Sequence, residues 1–258
     1  MKVVIFCGGL GTRLREETEF RPKPMVPIGG RPILWHIMKF YAEQGHKDFI
    51  LCLGYKGESI KDFFLNYQWN MSDITLRLGR TPEIQYHTNH AEEDWRVTLV
   101  DTGATTQTGG RLRQVLPFIG DDDFLLTYGD GVCNTDINET IRFHHTHGRT
   151  ATVTAVHPSG RFGEMVIQGD EVKTFSEKPE KEKGFINGGF FVVNKRVQNY
   201  ISEDDLCNFE QQVLPVLAQN DDLSVYRHNG FWQCMDTYRE QMILEDLWRS
   251  GNAPWKIW

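Results

Sequence analysis

Residues 3–25, "VVIFCGGLGTRLREETEFRPKPM", carry the densest chemistry in the chain. An apolar run from Val3 to Phe6 ends in Gly8, Gly9 and Gly11, as a strand entering an anion-wrapping loop does. Two standard phosphate loops do not fit. A P-loop requires lysine after its last glycine, and here Thr12 and Arg13 follow Gly11. A dinucleotide loop requires a third glycine opening straight into a helix. Counted from Gly9, that glycine is missing. Pro22, Pro24, Pro27 and Pro32 each remove a backbone N–H and turn the preceding residue away from α conformation. The residues can instead hold an anion with backbone N–H groups, the Thr12 hydroxyl and the planar fork of Arg13. Lys23 adds a point charge on a stretch stiffened by Pro22 and Pro24, which limits the entropy lost in aiming it. The competing reading is a plain glycine turn with solvated basic residues. An acidic turn, "REETEF", separates the two basic pieces.

The elements that must position these residues follow from hydrophobic periodicity. "KVVIF", "DFILCL", "RVTLVD" and "DDFLLTY" read as strands, the last ending at Gly129-Asp130-Gly131. "PILWHIMKFYAEQG", "KGESIKDFFLNY" and "DINETIRFHHTHG" read as helices between them, and a short helix is expected over Arg111 to Pro117. Alternation through the first 150 residues argues for a doubly wound, mostly parallel mixed α/β sheet. The second half changes character. "ATVTAV", "GEMVIQ", "EVKTFSE" and "INGGFFVVN" are closely spaced strands, which predicts a small β extension. A helix over "NFEQQVLPVLAQN" should be interrupted at Pro215, and "YREQMILEDLWRSG" closes the chain as an amphipathic helix. No flexible linker divides the halves, so one domain over 1–258 is expected.

Composition narrows the function. The 258 residues are 40% hydrophobic with a formal net charge of −7, which argues against a broad nucleic-acid surface. Five cysteines are widely spaced without a CxxC pair, favouring a reduced compartment over zinc or a disulfide framework. The chain opens directly into a strand pattern and has no bilayer-length apolar run, so a cytoplasmic protein with no membrane partner is expected. His144, His145 and His147 lie on one helix, but His145 is off the face that the other two share, which disfavours metal binding. Trp35 and Trp248 occupy core-like helical positions. Trp69, Trp95, Trp255 and Trp258 fall in less regular stretches, where exposed members would suit subunit contacts.

"GGLGTRLREETEFRPKPMVPIGGRPILWHI" resembles the signature of the sugar-nucleotide pyrophosphorylases, nucleotidyltransferases that join a nucleoside triphosphate to a sugar 1-phosphate. "YGDGV", "SEKP", "INGGFF" and "GFWQCMDT" are similar to further segments of that family, in family order across essentially the whole chain. "VTLVDTGATTQTGGRLRQV" and "GNAPWKIW" resemble the branch that makes CDP-glucose from CTP and α-D-glucose 1-phosphate for bacterial surface polysaccharide. The alternatives are dTTP or UTP on the same fold, or a non-catalytic sugar-nucleotide sensor.

The resemblance implies a Rossmann-like nucleotide-diphospho-sugar transferase fold, with 1–150 mainly nucleotide-binding and 151–258 mainly sugar-phosphate-binding. Phe6, Cys7, Gly8, Gly9, Leu10, Gly11, Thr12 and Arg13 would hold the triphosphate, with Arg13 and Lys23 catalytic through the charge they neutralise. Asp130 and Asp236 would carry Mg²⁺. Thr108, Gly110 and Arg111 fall where the family contacts the base, Arg111 having the phosphates as an alternative. Lys178 would clamp the sugar phosphate, and Glu177, Asn187 and Gly188 would face the sugar. A homo-oligomer is implied, a hexamer among its candidate sizes, with residues 67–96 as a lid or oligomerisation arm.

Overall fold

The computed structural model describes residues 1–79, 83–88, 90–158, 164–168, 171–176 and 184–258. Its centre is a seven-stranded sheet. In chain order the strands are β1 (Lys2–Phe6), β2 (Asp48–Leu53), β3 (Arg96–Asp101), β4 (Phe124–Tyr128), β5 (Ala151–Val156), β6 (Ile186–Val193) and β7 (Leu223–His228). In space they run β7-β5-β6-β4-β1-β2-β3. β1 is parallel to β2 and β4, β2 to β3, and β5 to β7, while β6 is antiparallel to both β4 and β5. The sheet is therefore mixed and mostly parallel, as the alternating pattern predicts.

Continuous apolar runs place β1, β2 and β4 in the middle, because a strand covered on both faces needs no polar alternation. In β1, Val3 and Ile5 enter one core and Val4 and Phe6 the other. The first core is closed by helix α1 (Ile33–Glu43) and by Leu244 of the last helix. The second is closed by Leu112, Val115 and Leu116 of α3 (Thr108–Ile119). The other helices of eight or more residues among those described are α2 (Gly57–Leu65), α4 (Ile137–His147) and α5 (Tyr238–Arg249).

Three local features differ from the sequence expectation or refine it. First, α3 starts at Thr108, so Gly109 and Gly110 lie inside its first turn. The Gly110 N–H donates to the Cys207 carbonyl at 3.1 Å, and a Cβ on Gly110 would meet the Asp205 carbonyl oxygen at 2.6 Å. The close approach to 205–207 is what these glycines permit. Second, the Pro215 helix divides into a π-helical turn, Phe209–Val213, and an α segment, Leu214–Gln219. Third, Trp255 is 1% exposed and packs with Phe231 and Trp248, so it belongs to the core and not to a contact surface. Among the described residues no helix is long and apolar enough to cross a membrane.

Candidate active site

The sheet order reverses between β1 and β4. The chain moves outward from β1 to β2 and β3, then returns to β1's other side. Open α/β sheets bind ligands at such a switch point, beyond the strands' carboxyl ends. The Cys7 N–H donates to the Cys52 carbonyl at 3.0 Å, and the Gly129 N–H donates to the Phe6 carbonyl at 3.0 Å. Both the Gly8–Arg13 loop and the Gly129-Asp130 corner are thereby anchored there.

Gly11 takes a left-handed conformation, φ 64°, and leads into a 3-10 turn, Thr12–Leu14, and a short helix, Arg15–Thr18. The acidic stretch is thus helical where a turn was expected. Thr18 holds it by donating to the Gly11 and Leu14 carbonyls at 3.0 and 2.9 Å. The Tyr55 hydroxyl donates to the Thr18 carbonyl at 3.1 Å, tying the stretch to the loop after β2.

Arg111 lies beneath the loop, 4% exposed. Its guanidinium donates to the carbonyls of Leu53 at 2.8 Å and Gly8 at 3.1 Å, and to the Thr102 hydroxyl at 2.6 Å. A Cβ at Gly8 would collide with this guanidinium and push it off its three acceptors. Among the described residues no carboxylate forms an ion pair with Arg111. Its charge stands under the loop as a fixed positive potential. The Gly110 N–H is committed to Cys207, so Gly110 serves the packing of α3, and its N–H is not offered to a base.

Four charged side chains meet at the switch point. Lys23 lies in a 3-10 turn, Lys23–Met25, entered from Pro22 in extended conformation. Its ammonium is 2.6 Å from Asp130 Oδ2 and 2.5 Å from Asp236 Oδ1. Arg13 reaches Asp236 Oδ2 at 2.5 Å. Burial alone would lower the Lys23 pKa, but the charge of Asp130 and hydrogen bonds to both carboxylates raise it overall. The two aspartates are brought together by a small antiparallel ribbon, Gly131–Cys133 with Trp232–Cys234, in which Gly131 pairs with Cys234. The Met235 N–H donates to the Asp130 carbonyl at 2.8 Å. Asp236 precedes α5 without capping it. Thr237 is the cap, in a capping box with Glu240. The Glu240 carboxylate also accepts from the Asp236 N–H at 2.7 Å, leaving the Asp236 side chain free for the cations.

Two cavities open on this cluster. One, of about 650 Å³, is lined by Phe6–Arg13, Lys23, Thr105–Thr108, Arg111 and Asp130. The other, of about 350 Å³, is lined by Asn187–Phe190, Glu210, Trp232, Cys234 and Asp236. Arg13, Thr108, Tyr128 and Asp130 line both. Gly189, which lines the second cavity, takes φ +79° against the Tyr128 ring, and the Trp232 indole N–H donates to the Gly188 carbonyl at 2.7 Å. The Asn187 side-chain amide oxygen, Oδ1, accepts from the Gly189 N–H at 2.8 Å. Glu177 and Lys178 lie outside the described residues. Sequence reasoning missed Tyr128, Glu210 and Trp232. Each lies within a run whose apolar or helical pattern looks structural.

The carboxylates suit a hard divalent cation. Asp130 and Asp236 converge on a single point, held here by the Lys23 ammonium. Among the described residues no third His, Cys, Asp or Glu joins them. Two carboxylates with remaining positions left to phosphate and water is the pattern Mg²⁺ prefers.

The nucleotidyl transferase family model matches residues 2–238. Glucose-1-phosphate cytidylyltransferase of Salmonella typhi is 53% identical, with all of both chains covered. The Bacillus subtilis protein named probable glucose-1-phosphate cytidylyltransferase is 46% identical over the same full coverage. HddC from Yersinia pseudotuberculosis, solved with GMP-PN, superimposes with TM-score 0.70 at 23% identity, covering 96% of this chain and 99% of HddC. UDP-glucose pyrophosphorylase in complex with UDP-glucose gives TM-score 0.67 at 15% identity, covering 97% and 98%. These last two share the fold. A glycine loop at the switch point, paired cations and paired aspartates are the parts a nucleotidyl transfer needs, and the chain belongs to the nucleotidyl transferase family, with the glucose-1-phosphate cytidylyltransferases.

Proposed function

We propose that the larger cavity takes CTP, the smaller takes α-D-glucose 1-phosphate, and the charged cluster between them joins the two as CDP-glucose with release of pyrophosphate. One observation carries this reading. Arg13, Lys23, Asp130 and Asp236 meet where the two cavities join. The choice of CTP and glucose rests on the names of the full-length relatives.

The reaction transfers the α-phosphoryl centre of the triphosphate to an oxygen of the sugar phosphate. That oxygen is already anionic at neutral pH, so the site has no need of a strong general base. Catalysis is then a matter of alignment and charge. Backbone N–H groups of Gly8–Gly11 and the Thr12 hydroxyl hold the triphosphate. Arg13 stabilises the departing pyrophosphate, and Lys23 the charge at the α-phosphate. Mg²⁺, when bound by Asp130 and Asp236, supplies charge neutralisation at the phosphates. Lys178 holds the sugar phosphate, while Glu177 and Asn187 accept or donate at sugar hydroxyls. Thr108 and Arg111 serve the nucleotide side, Arg111 through the loop that it supports.

Residues 67–96 act as an oligomerisation arm. The hairpin Ile74–Arg77 with Glu83–Tyr86 has its second strand exposed along its whole length, including Ile84 and Tyr86. A two-stranded ribbon is marginal alone, so its apolar face is suited to a second copy of the chain.

The test is pyrophosphate release from glucose 1-phosphate and Mg²⁺ with each nucleoside triphosphate in turn. CTP gives the highest kcat/KM. Equal or higher turnover with dTTP or UTP overturns the cytidylyl assignment, and no turnover with any of them overturns the enzyme.

A further inference from the structure

The smaller cavity contains a carboxylate that the proposed chemistry does not use. Glu210 projects from the π-helical turn Phe209–Val213, a local irregularity that is often retained at functional sites. Asp130 and Asp236, which line the same cavity, are both paired with cations. Among the described residues Glu210 has no such partner. It is held instead by two hydroxyls. The Thr108 hydroxyl donates to Glu210 Oε2 at 2.6 Å, and the Tyr128 hydroxyl donates to Glu210 Oε1. Thr108 is itself fixed, accepting from the Phe209 N–H at 2.9 Å. Burial first, then the charge of Glu210, raises the Tyr128 phenol above its ordinary pKa, so it remains a donor.

Each carboxylate oxygen accepts about two hydrogen bonds, so this clamp leaves acceptor capacity on both. A rigid, unpaired carboxylate with spare acceptor sites matches a ligand rich in hydroxyl donors. It does not match another anion. Glu210 lines the cavity of Asn187, Gly188 and Trp232, and it is absent from the wall of the glycine-loop cavity. We propose that Glu210 is a specificity-determining residue, its carboxylate accepting a hydrogen bond from one hydroxyl of the sugar in the sugar 1-phosphate. The inference rests on the reading of this cavity as the sugar pocket. A pocket built to accept from a hydroxyl rejects the analogue that lacks it, because the acceptor is then left unpaired.

The test compares wild type, Glu210→Gln and Asn187→Ala on glucose 1-phosphate, on its 2-, 3-, 4- and 6-deoxy analogues, and on 2′- and 3′-deoxy CTP. Wild type discriminates against one deoxy sugar by about tenfold or more. In Glu210→Gln the KM for glucose 1-phosphate rises about tenfold, that for CTP stays within about twofold, and discrimination against that one analogue collapses. Uniform loss on every analogue with discrimination intact overturns the proposal and leaves Glu210 a wall residue. Collapse on a deoxy CTP instead reassigns it to ribose and likewise overturns it. If Asn187→Ala shifts the sugar KM while Glu210→Gln does not, this inference fails alone. If neither variant does, the reading of the cavity fails. Should Glu210→Gln not fold, Glu210→Asp keeps the charge but withdraws it by one methylene, and must show the same collapse.

Discussion

The Lys23 ammonium stands 2.5 Å from Asp236 Oδ1, two side chains separated by 213 positions in the sequence. With Asp130 on its other side, Lys23 occupies the point on which both carboxylates converge. The two cations and two carboxylates of the cluster therefore neutralise one another. A metal–nucleotide complex brings both signs of charge, so Lys23 and Arg13 can turn to phosphate as the aspartates take the cation. Nucleotide and metal should bind with positive coupling.

Lys23→Ala separates these roles. Without nucleotide, Mn²⁺ affinity measured by electron paramagnetic resonance rises about tenfold, because the competing ammonium is gone. Turnover with CTP and glucose 1-phosphate falls by about 10²–10³. Asp236→Asn abolishes the tighter Mn²⁺ binding and most of kcat, with an unchanged far-UV circular dichroism spectrum. Unaltered Mn²⁺ binding in Lys23→Ala would refute the competition.

Arg111 supports the Gly8–Arg13 loop from below through Gly8, Leu53 and Thr102. Arg111→Met keeps the length of the side chain but removes the guanidinium's three hydrogen bonds, while the Leu53 carbonyl keeps the Thr102 N–H and hydroxyl and the Gly8 carbonyl keeps the Tyr55 N–H. Denaturant unfolding should report a loss of roughly 1–3 kcal/mol from these hydrogen bonds. Arg111→Lys should recover part of that stability, since one ammonium can reach only some of the three acceptors.

His36 is buried with both ring nitrogens engaged, Nε2 with the Ile28 carbonyl at 2.8 Å and Nδ1 with the Trp255 indole N–H at 3.4 Å. Burial holds its pKa down at about 4, from an ordinary 6.5. The unfolded chain takes up a proton below 6.5 that the folded protein refuses until about 4. Stability is thus fully present above 6.5 and is lost as pH falls toward 4, on the order of 3 kcal/mol from this residue. His144, also held at about 4 by burial, acts in the same direction. Melting temperatures between pH 7 and pH 5 should fall steeply in wild type and less steeply in His36→Gln.

Leu76 and Ile84 are 42% and 44% exposed on the 74–86 hairpin. Leu76→Glu with Ile84→Glu should reduce the sedimentation coefficient to that of a smaller assembly. Monomer stability should shift by less than about 0.5 kcal/mol, because exposed positions carry little of the core. An unchanged sedimentation profile would remove this hairpin from the interface.

Much of the frame is legible along the chain, because its causes are local. Val3 to Phe6, Asp48 to Leu53 and Phe124 to Tyr128 are apolar enough to require burial on both faces, and they form the centre of the sheet. Gly8, Gly9 and Gly11 with four following prolines exclude a long helix and leave a loop with a stiffened lysine. The start of α3 is not legible in this way. Gly109 and Gly110 suggest a turn until residues 205–207 are seen packed against them. Partner choice is equally hidden. Sequence determined that Arg13, Lys23, Asp130 and Asp236 were charged residues at ends of elements. Only tertiary structure decided that a short ribbon pairs Gly131 with Cys234, delivering both aspartates to one ammonium. It alone placed the Glu210 carboxylate against Thr108 and Tyr128. Periodicity records which face of an element is buried. The register between distant strands, which sets what each side chain meets, is fixed by packing across the whole sheet.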